Sequence, residues 1–139
     1  MTDETRTLIR YRLERAEEAL QEAVLLLDND HANTCVNRLY YACFYAVSAL
    51  LLAQGLASAR HSGVRALFHQ HIVKPGLLDI SLGQLYDKFF DNRQKGDYAD
   101  LIRFAVPEIQ PWLDEARAFV TDVAVLIQQE VEGLNPPED

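Results

Sequence analysis

The stretch from Asn33 to Leu52, NTCVNRLYYACFYAVSALLL, constrains this chain more than any other. From Cys35 to Leu52 only Asn37, Arg38 and Ser48 are clearly polar, with three tyrosine hydroxyls as lesser cases. A helix that is apolar nearly all round belongs in the middle of a bundle. Yet the stretch carries an arginine. Arg38, Tyr41, Tyr45 and Ser48 fall at i, i+3, i+7 and i+10, so they share one face. Guanidinium and hydroxyl groups on a buried helix must find partners. The rest of the chain has to supply them.

The remaining segments also read as helices. Residues 3–27 form a long amphipathic helix. Leu13, Ala16, Leu20, Ala23, Val24 and Leu27 trace its apolar side, and Leu8, Tyr11 or Arg12, Arg15, Ala19, Glu22 and Leu26 the other. Thr2 or Asp3 can cap it, and Asp30 suits the N-cap of the next helix. That central helix runs from about His31 to Gln54 and stops at Gly55. A third spans about Ser62 to Val73, ended by Lys74-Pro75-Gly76. Ser81 and Gln84 match a capping box for a fourth helix. Its Leu82, Leu85, Tyr86, Phe89 and Phe90 repeat at i, i+3, i+4, i+7 and i+8. The pattern breaks near Gly96, and Arg93, Asp97 and Tyr98 fall after that helix. A last helix carries Ile109, Trp112, Leu113, Ala116, Phe119, Val120, Val123 and Ile127. It starts at Pro107 with a kink, or later at Pro111. No segment alternates like a strand. The expected fold is all-α, an antiparallel up-down four-helix bundle with a short extra helix. Residues 1–132 make one helical domain, and residues 133–139, GLNPPED, a disordered tail.

Charge is unevenly placed. The net charge is −8, which argues against a general nucleic-acid binder. From His31 to Leu78, however, there is no Asp or Glu, while Arg38, Arg60, Arg65, Lys74 and all four histidines lie there. The acids sit in residues 1–30 (eight) and 79–139 (thirteen). Acidic outer helices neutralising a basic interior would explain this, as would an anion site. Cys35 and Cys43, eight residues apart on one helix, lie ~12 Å apart along its axis and cannot bridge. Two free buried thiols fit a reducing cytoplasm. The longest near-continuous apolar run, Ala42 to Ala53, is too short to cross a bilayer, so no membrane association is expected. The N-terminal MTDETRTLIR is acidic and polar, unlike a signal peptide.

Standard catalytic patterns are missing. His69 and His71 point to different sides of a helix, and no HExxH or CxxC occurs, so no metal is expected. No nucleophile elbow surrounds Ser48, Ser58, Ser62 or Ser81. The glycines form no phosphate-cradling loop, and no cofactor is implied. What remains is the Arg38 stripe, His61-Ser62 at a helix start, and Arg93 with Asp97 and Tyr98. Arg93 and Asp97, at i and i+4, suit an ion pair. Alternatively Arg38 pairs with Asp97 and Tyr98 packs over it.

At these residues the chain resembles a family. NRLYYACFYAVSALL at 37–51, His61-Ser62-Gly63 after a short loop, and Arg93-x-x-x-Asp97-Tyr98 before the last helix are similar to a HEPN domain, in particular the small stand-alone prokaryotic HEPN proteins. The likeness covers roughly residues 5–128. It implies a helical bundle that dimerises around a shared cleft, a role in nucleotide or RNA binding, and a minimal nucleotidyltransferase partner in a toxin–antitoxin-like pair. Active members are metal-independent ribonucleases whose motif is an arginine, four to six residues, then a histidine. Here the positions five to seven after Arg93 are Tyr98, Ala99 and Asp100, and no histidine follows His71. Tyrosine, with a pKa near ~10, is a poor general base at neutral pH.

Three functions are therefore carried forward. The first is a non-catalytic homodimeric module with Arg38, Tyr41, His61, Arg93, Asp97 and Tyr98 forming a nucleotide or phosphate pocket, since an arginine fork matches phosphate geometry. The second is a weak endoribonuclease using Arg93 with His61 or Tyr98. The third is a structural dimeric subunit whose arginines are internal ion pairs.

Overall fold

A computed structural model describes residues 1–98 and 102–134, with only the backbone of Tyr98. Five α-helices follow in order: α1 Asp3–Asp28, α2 Ala32–Ala53, α3 His61–Phe68, α4 Ile80–Tyr98 and α5 Val106–Glu130. A π-helical turn, His69–Val73, continues α3. The described residues contain no strand. The expected all-α bundle with a short extra helix is what forms, and α2 is its axis, packing on α1, α3, α4 and α5.

Each helix end has a local cause. The Thr2 hydroxyl accepts the Thr5 N–H and starts α1. Asp30 does not cap α2. It takes φ +63°, and the Asp30 and His31 N–H groups return to the Leu27 and Leu26 carbonyls. This is a Schellman ending for α1, and a short Asp tolerates the left-handed turn. α2 therefore starts after His31 with no side-chain cap. The same ending closes α2 at Gly55, φ +75°, where the Gly55 and Leu56 N–H groups reach Leu52 and Leu51. The capping box at Ser81 and Gln84 is not what starts α4. The helix begins one residue before Ser81, so Asp79 holds the cap position and its carboxylate accepts the Ser81 N–H at 3.0 Å. Hydrogen bonding from the Ser81 side chain, and then from its N–H, draws the Asp79 carboxyl below its ordinary pKa.

Two further expectations change. α4 does not break at Gly96 but runs on to Tyr98. Gly96 serves close packing instead: a Cβ there would lie 3.2 Å from the Phe104 ring. Arg93 and Asp97 consequently sit on α4, not after it. α5 starts at Val106 with Pro107 in its first turn, and Pro111 lies inside the helix, where it withholds one N–H from the ladder.

α1 lays Ile9, Ala16, Ala19, Leu20, Ala23 and Leu27 on the core, the alanines letting it approach α2 closely. Cys35 and Cys43 are buried free thiols, raised in pKa by burial, Cys35 to about 12. By length and composition α2 could span a bilayer, although its longest apolar run is short. In the fold most of that surface is covered by the other helices. At the C-terminus Leu134 is buried and its carbonyl accepts Arg10 Nη1 at 2.6 Å, while Arg6 Nε donates to the Glu132 carbonyl. Of the first two residues of the expected tail, Leu134 is thus packed on the core, whereas Gly133 is exposed. The expected disordered tail beyond them, residues 135–139, lies outside the described residues.

Candidate functional site

α2 is not buried all round. Asn37, Arg38, Tyr41, Phe44 and Tyr45 form a half-buried face, whereas Ser48, on the same expected stripe, is buried. The polar stripe on the core helix is its open side. Over that face lie His61, the first residue of α3, and Arg93 of α4.

Arg93 is where the helical pattern of α4 meets the cleft. Tyr86, Phe89 and Phe90 point into the core, and Arg93, one turn later, continues that inward face. It is only 9% exposed. Its guanidinium lies 4.7 Å from the Tyr40 ring centroid and 6.0 Å from that of Tyr41. Among the described residues its buried Nε has no hydrogen-bond partner and the side chain makes no ion pair. The expected Arg93–Asp97 bridge is absent among the described residues, because Asp97 instead accepts Asn37 Nδ2 at 3.0 Å.

Nor does Arg38 pair with Asp97. Its Nε and Nη2 both donate to Asn37 Oδ1, at 3.0 and 2.7 Å, and Nη1 lies 3.6 Å from Glu22 on α1. The Asn37 amide therefore stands between the two: its oxygen holds Arg38 and its nitrogen holds Asp97. The Arg38 guanidinium sits 4.9 Å over the Tyr41 ring. Only part of its donor fork is engaged, by a neutral amide and a long, half-exposed carboxylate contact.

His61 packs flat on Phe44, ring centroids 4.5 Å apart and 11° from parallel. Its Nδ1 lies 2.8 Å from the Tyr40 hydroxyl. Burial, and then the positive charge of Arg93, lower the His61 pKa. Burial chiefly pushes Tyr40 up to about 12. At neutral pH the tyrosine keeps its proton, the imidazole is uncharged, and one ring nitrogen is engaged by Tyr40. The other is left to donate to or accept from a ligand.

Four of the six expected site residues thus lie together at the open face of α2: Arg38, Tyr41, His61 and Arg93. Asp97 borders it through Asn37. The side chain of Tyr98 lies outside the described residues, as do Ala99 and Asp100. Three residues of this face, Tyr40, Phe44 and Asn37, were not among the expected site residues. The one available signal was the adjacent pair Tyr40-Tyr41, which must point to different sides of a helix, so that one reaches α4 while the other edges the surface. Among the described residues no three His, Cys, Asp or Glu stand together as metal ligands.

Chemically, the cleft offers a desolvated guanidinium with a spare donor, a second guanidinium at the rim, a neutral imidazole and a floor of aromatic faces. An anion gains most from such a cation because water does not compete inside.

Comparison with known proteins agrees with this architecture. Residues 9–130 match the HEPN domain. A UPF0332 protein of Thermotoga maritima is 42% identical over 126 residues, covering 91% of this chain and 96% of that protein. Two Methanocaldococcus jannaschii proteins are also similar. The one named "Putative toxin MJ0142" is 31% identical, over 78% of this chain and 74% of its own length. The one named "Putative toxin MJ0605" is 34% identical, over 70% of this chain and 73% of its own length. With a bundle organised on α2 and a family match across nearly its whole length, the chain belongs to the HEPN domain family.

Proposed function

We propose that this chain is a toxin–antitoxin-like HEPN module that binds a nucleotide or RNA phosphate at Arg93 without cleaving it. It works in the cytoplasm as a homodimer and pairs with a minimal nucleotidyltransferase. The single observation that carries the binding claim is the buried Arg93 Nε with no partner. A buried donor left unsatisfied costs about 1–3 kcal/mol, a cost that a bound phosphate removes. Arg38 at the rim, over the half-buried Tyr41 ring, adds a second cation. The relatives named as toxins support the toxin–antitoxin-like reading. The missing motif histidine after Arg93 supports binding without turnover.

The test is titration with AMP and short RNAs at low salt. The parent is expected to bind and the Arg38→Ala, Arg93→Ala double variant is not. Equal binding by both overturns the pocket. Co-purification with the product of a neighbouring nucleotidyltransferase gene tests the pairing, and sedimentation tests the dimer.

One observation favours a second reading. His61 is neutral, oriented by Tyr40 and near Arg93, which suits a general base in a metal-free endoribonuclease. That reading requires cleavage in the presence of a chelator, abolished by His61→Ala. The leading reading expects no cleavage by either protein.

A further inference from the structure

Tyr40 is fully buried, and among the described residues its hydroxyl has one hydrogen-bond partner, His61 Nδ1 at 2.8 Å. A neutral imidazole carries one N–H and one bare nitrogen, so this contact has two possible directions. If Nδ1 holds the hydrogen, Tyr40 accepts it and the phenolic hydrogen has nowhere to go. If Nδ1 is bare, Tyr40 donates and both groups are satisfied. A buried donor without an acceptor costs more than an oxygen with an unused lone pair, which favours the second direction. Two neighbours push the same way. The Arg93 guanidinium lies 4.7 Å from the Tyr40 ring centroid, and a cation there makes the phenol a better donor and a poorer acceptor. The Tyr86 ring lies 6.0 Å from that of Tyr40, and its hydroxyl is buried with no hydrogen-bond partner among the described residues. Burial raises the pKa of both phenols, and each hydroxyl also shifts the other. Turning the Tyr40 hydrogen toward Tyr86 would therefore only move the orphan to a second buried hydroxyl. With two buried hydroxyl hydrogens and one nitrogen to receive them, the donors run outward, from Tyr86 toward Tyr40 and from Tyr40 to His61.

We infer that Tyr40 locks His61 in the tautomer whose hydrogen sits on Nε2, so that the ring offers the cleft a fixed N–H donor and no base. His61 is half-buried, and among the described residues its Nε2 bonds nothing and is not sealed from solvent. Tyr40 is then a positioning residue, acting through His61. The inference rests on the phosphate site proposed above and narrows its ligand class. Arg93, Arg38 and His61 present hydrogens only, so they take a group made of acceptor oxygens, an ionised phosphate. A hydroxyl that must give up its hydrogen finds no acceptor on this ring. A general base needs a bare nitrogen facing the ligand, and the bare nitrogen of His61 is spent on Tyr40. The same lock resists formation of the imidazolium: protonating Nδ1 would turn two donors against each other, beside the Arg93 charge.

The tautomer is read on the unliganded full chain at pH ~8, where the ring is neutral, from the imidazole nitrogen-15 shifts and their couplings to the ring hydrogens. The His61 signals are assigned by their loss in His61→Gln. The expected result is a protonated, pyrrole-type Nε2 and a bare, pyridine-type Nδ1. In Tyr40→Phe both shifts should drift toward a common mean as the tautomers mix. A protonated Nδ1, or two averaged nitrogens in the parent, overturns the lock, and that reading needs no variant of the buried tyrosine to fold. The donor role is read by AMP titration. His61→Ala should lower affinity by ~10-fold, the scale of one hydrogen bond to a charged group. His61→Gln, whose amide N–H stands near the place of Nε2, should recover most of that loss, and His61→Asn, whose shorter amide falls near Nδ1, should not. If glutamine is no better than alanine, or alanine binds as the parent does, the donor role is wrong and the phosphate site at Arg93 stands. If AMP does not bind the parent, the phosphate site and the donor role both fail, while the spectrum still decides the lock. Chelator-resistant RNA cleavage that His61→Ala abolishes would overturn the inference, since the ring would then be a base.

Discussion

Arg93→Met separates a ligand-binding arginine from a structural one. Methionine nearly matches the aliphatic length of arginine and leaves the Tyr40 ring covered. The change removes a buried, unpartnered Nε, worth about 1–3 kcal/mol of relief. It also removes the guanidinium from over Tyr40, a loss of about 1–2 kcal/mol for a desolvated cation on a ring. The two nearly cancel. Unliganded stability is therefore expected to stay level or rise by up to about 1 kcal/mol, ~4 °C in Tm for a domain of this size. Binding behaves differently. Hydrogen bonds to charged groups carry about 1.5–3 kcal/mol, so AMP affinity should fall ~10- to 100-fold. Melting curves with and without AMP read both quantities: the ligand raises the Tm of the parent and not that of the variant. The His61 pKa, followed by NMR, should also move up toward its ordinary value, because Arg93 is one of the two causes that depress it. A variant that melts more than ~4 °C lower while binding AMP as well as the parent would refute the reasoning, since Arg93 would then be a structural group with an internal partner.

The same cleft yields further expectations. Because His61 is depressed below its unfolded value, the unfolded chain takes up the proton more readily; its contribution to stability is full above pH ~6.5 and is lost as pH falls from there toward the lower folded pKa, a loss that His61→Gln should remove from the pH–Tm profile. Tyr40→Phe deletes the hydroxyl that holds His61 Nδ1 and should cost about 1 kcal/mol by chemical denaturation, with the His61 ring signals broadened. Asn37→Ala releases Arg38 and Asp97 together, so AMP affinity should drop several-fold while Tm changes little; an unchanged affinity would mean that Asn37 positions nothing. Gly83→Ala should lower Tm although alanine favours helices, because its Cβ would lie 2.9 Å from His69 Cε1 and 3.1 Å from Val73 on the π-turn; a rise in Tm would show that α3 and α4 part easily there.

Family membership, helix number and the central place of α2 were all legible in the residues. Apolar periodicity reports burial, and a strongly periodic helix needs little context to be recognised. Helix ends were less legible. Asp30, Ser81 and Gly96 each matched a local signal that a neighbour outcompeted: a Schellman turn, the Asp79 carboxylate, and the packing of Phe104. Of the candidate site, the arginines and the histidine named from the sequence lie near one another, with partners other than those expected. Arg38 and Asp97 are both charged and near in the fold, yet the short Asn37 amide meets each first.

By itself, then, the sequence determined that one helix must be the core and that its polar stripe needed an outlet, because apolar area and hydrogen-bonding demand are properties of the residues themselves. Only the tertiary structure decided that the stripe is an open face, that Tyr40 reaches across to His61 and Arg93, and that the buried Arg93 Nε has no partner among the described residues. Those facts depend on how four helices converge. A rotation of α4 by one residue, ~100°, would turn Arg93 out into water and leave no cleft, with the amino-acid composition unchanged.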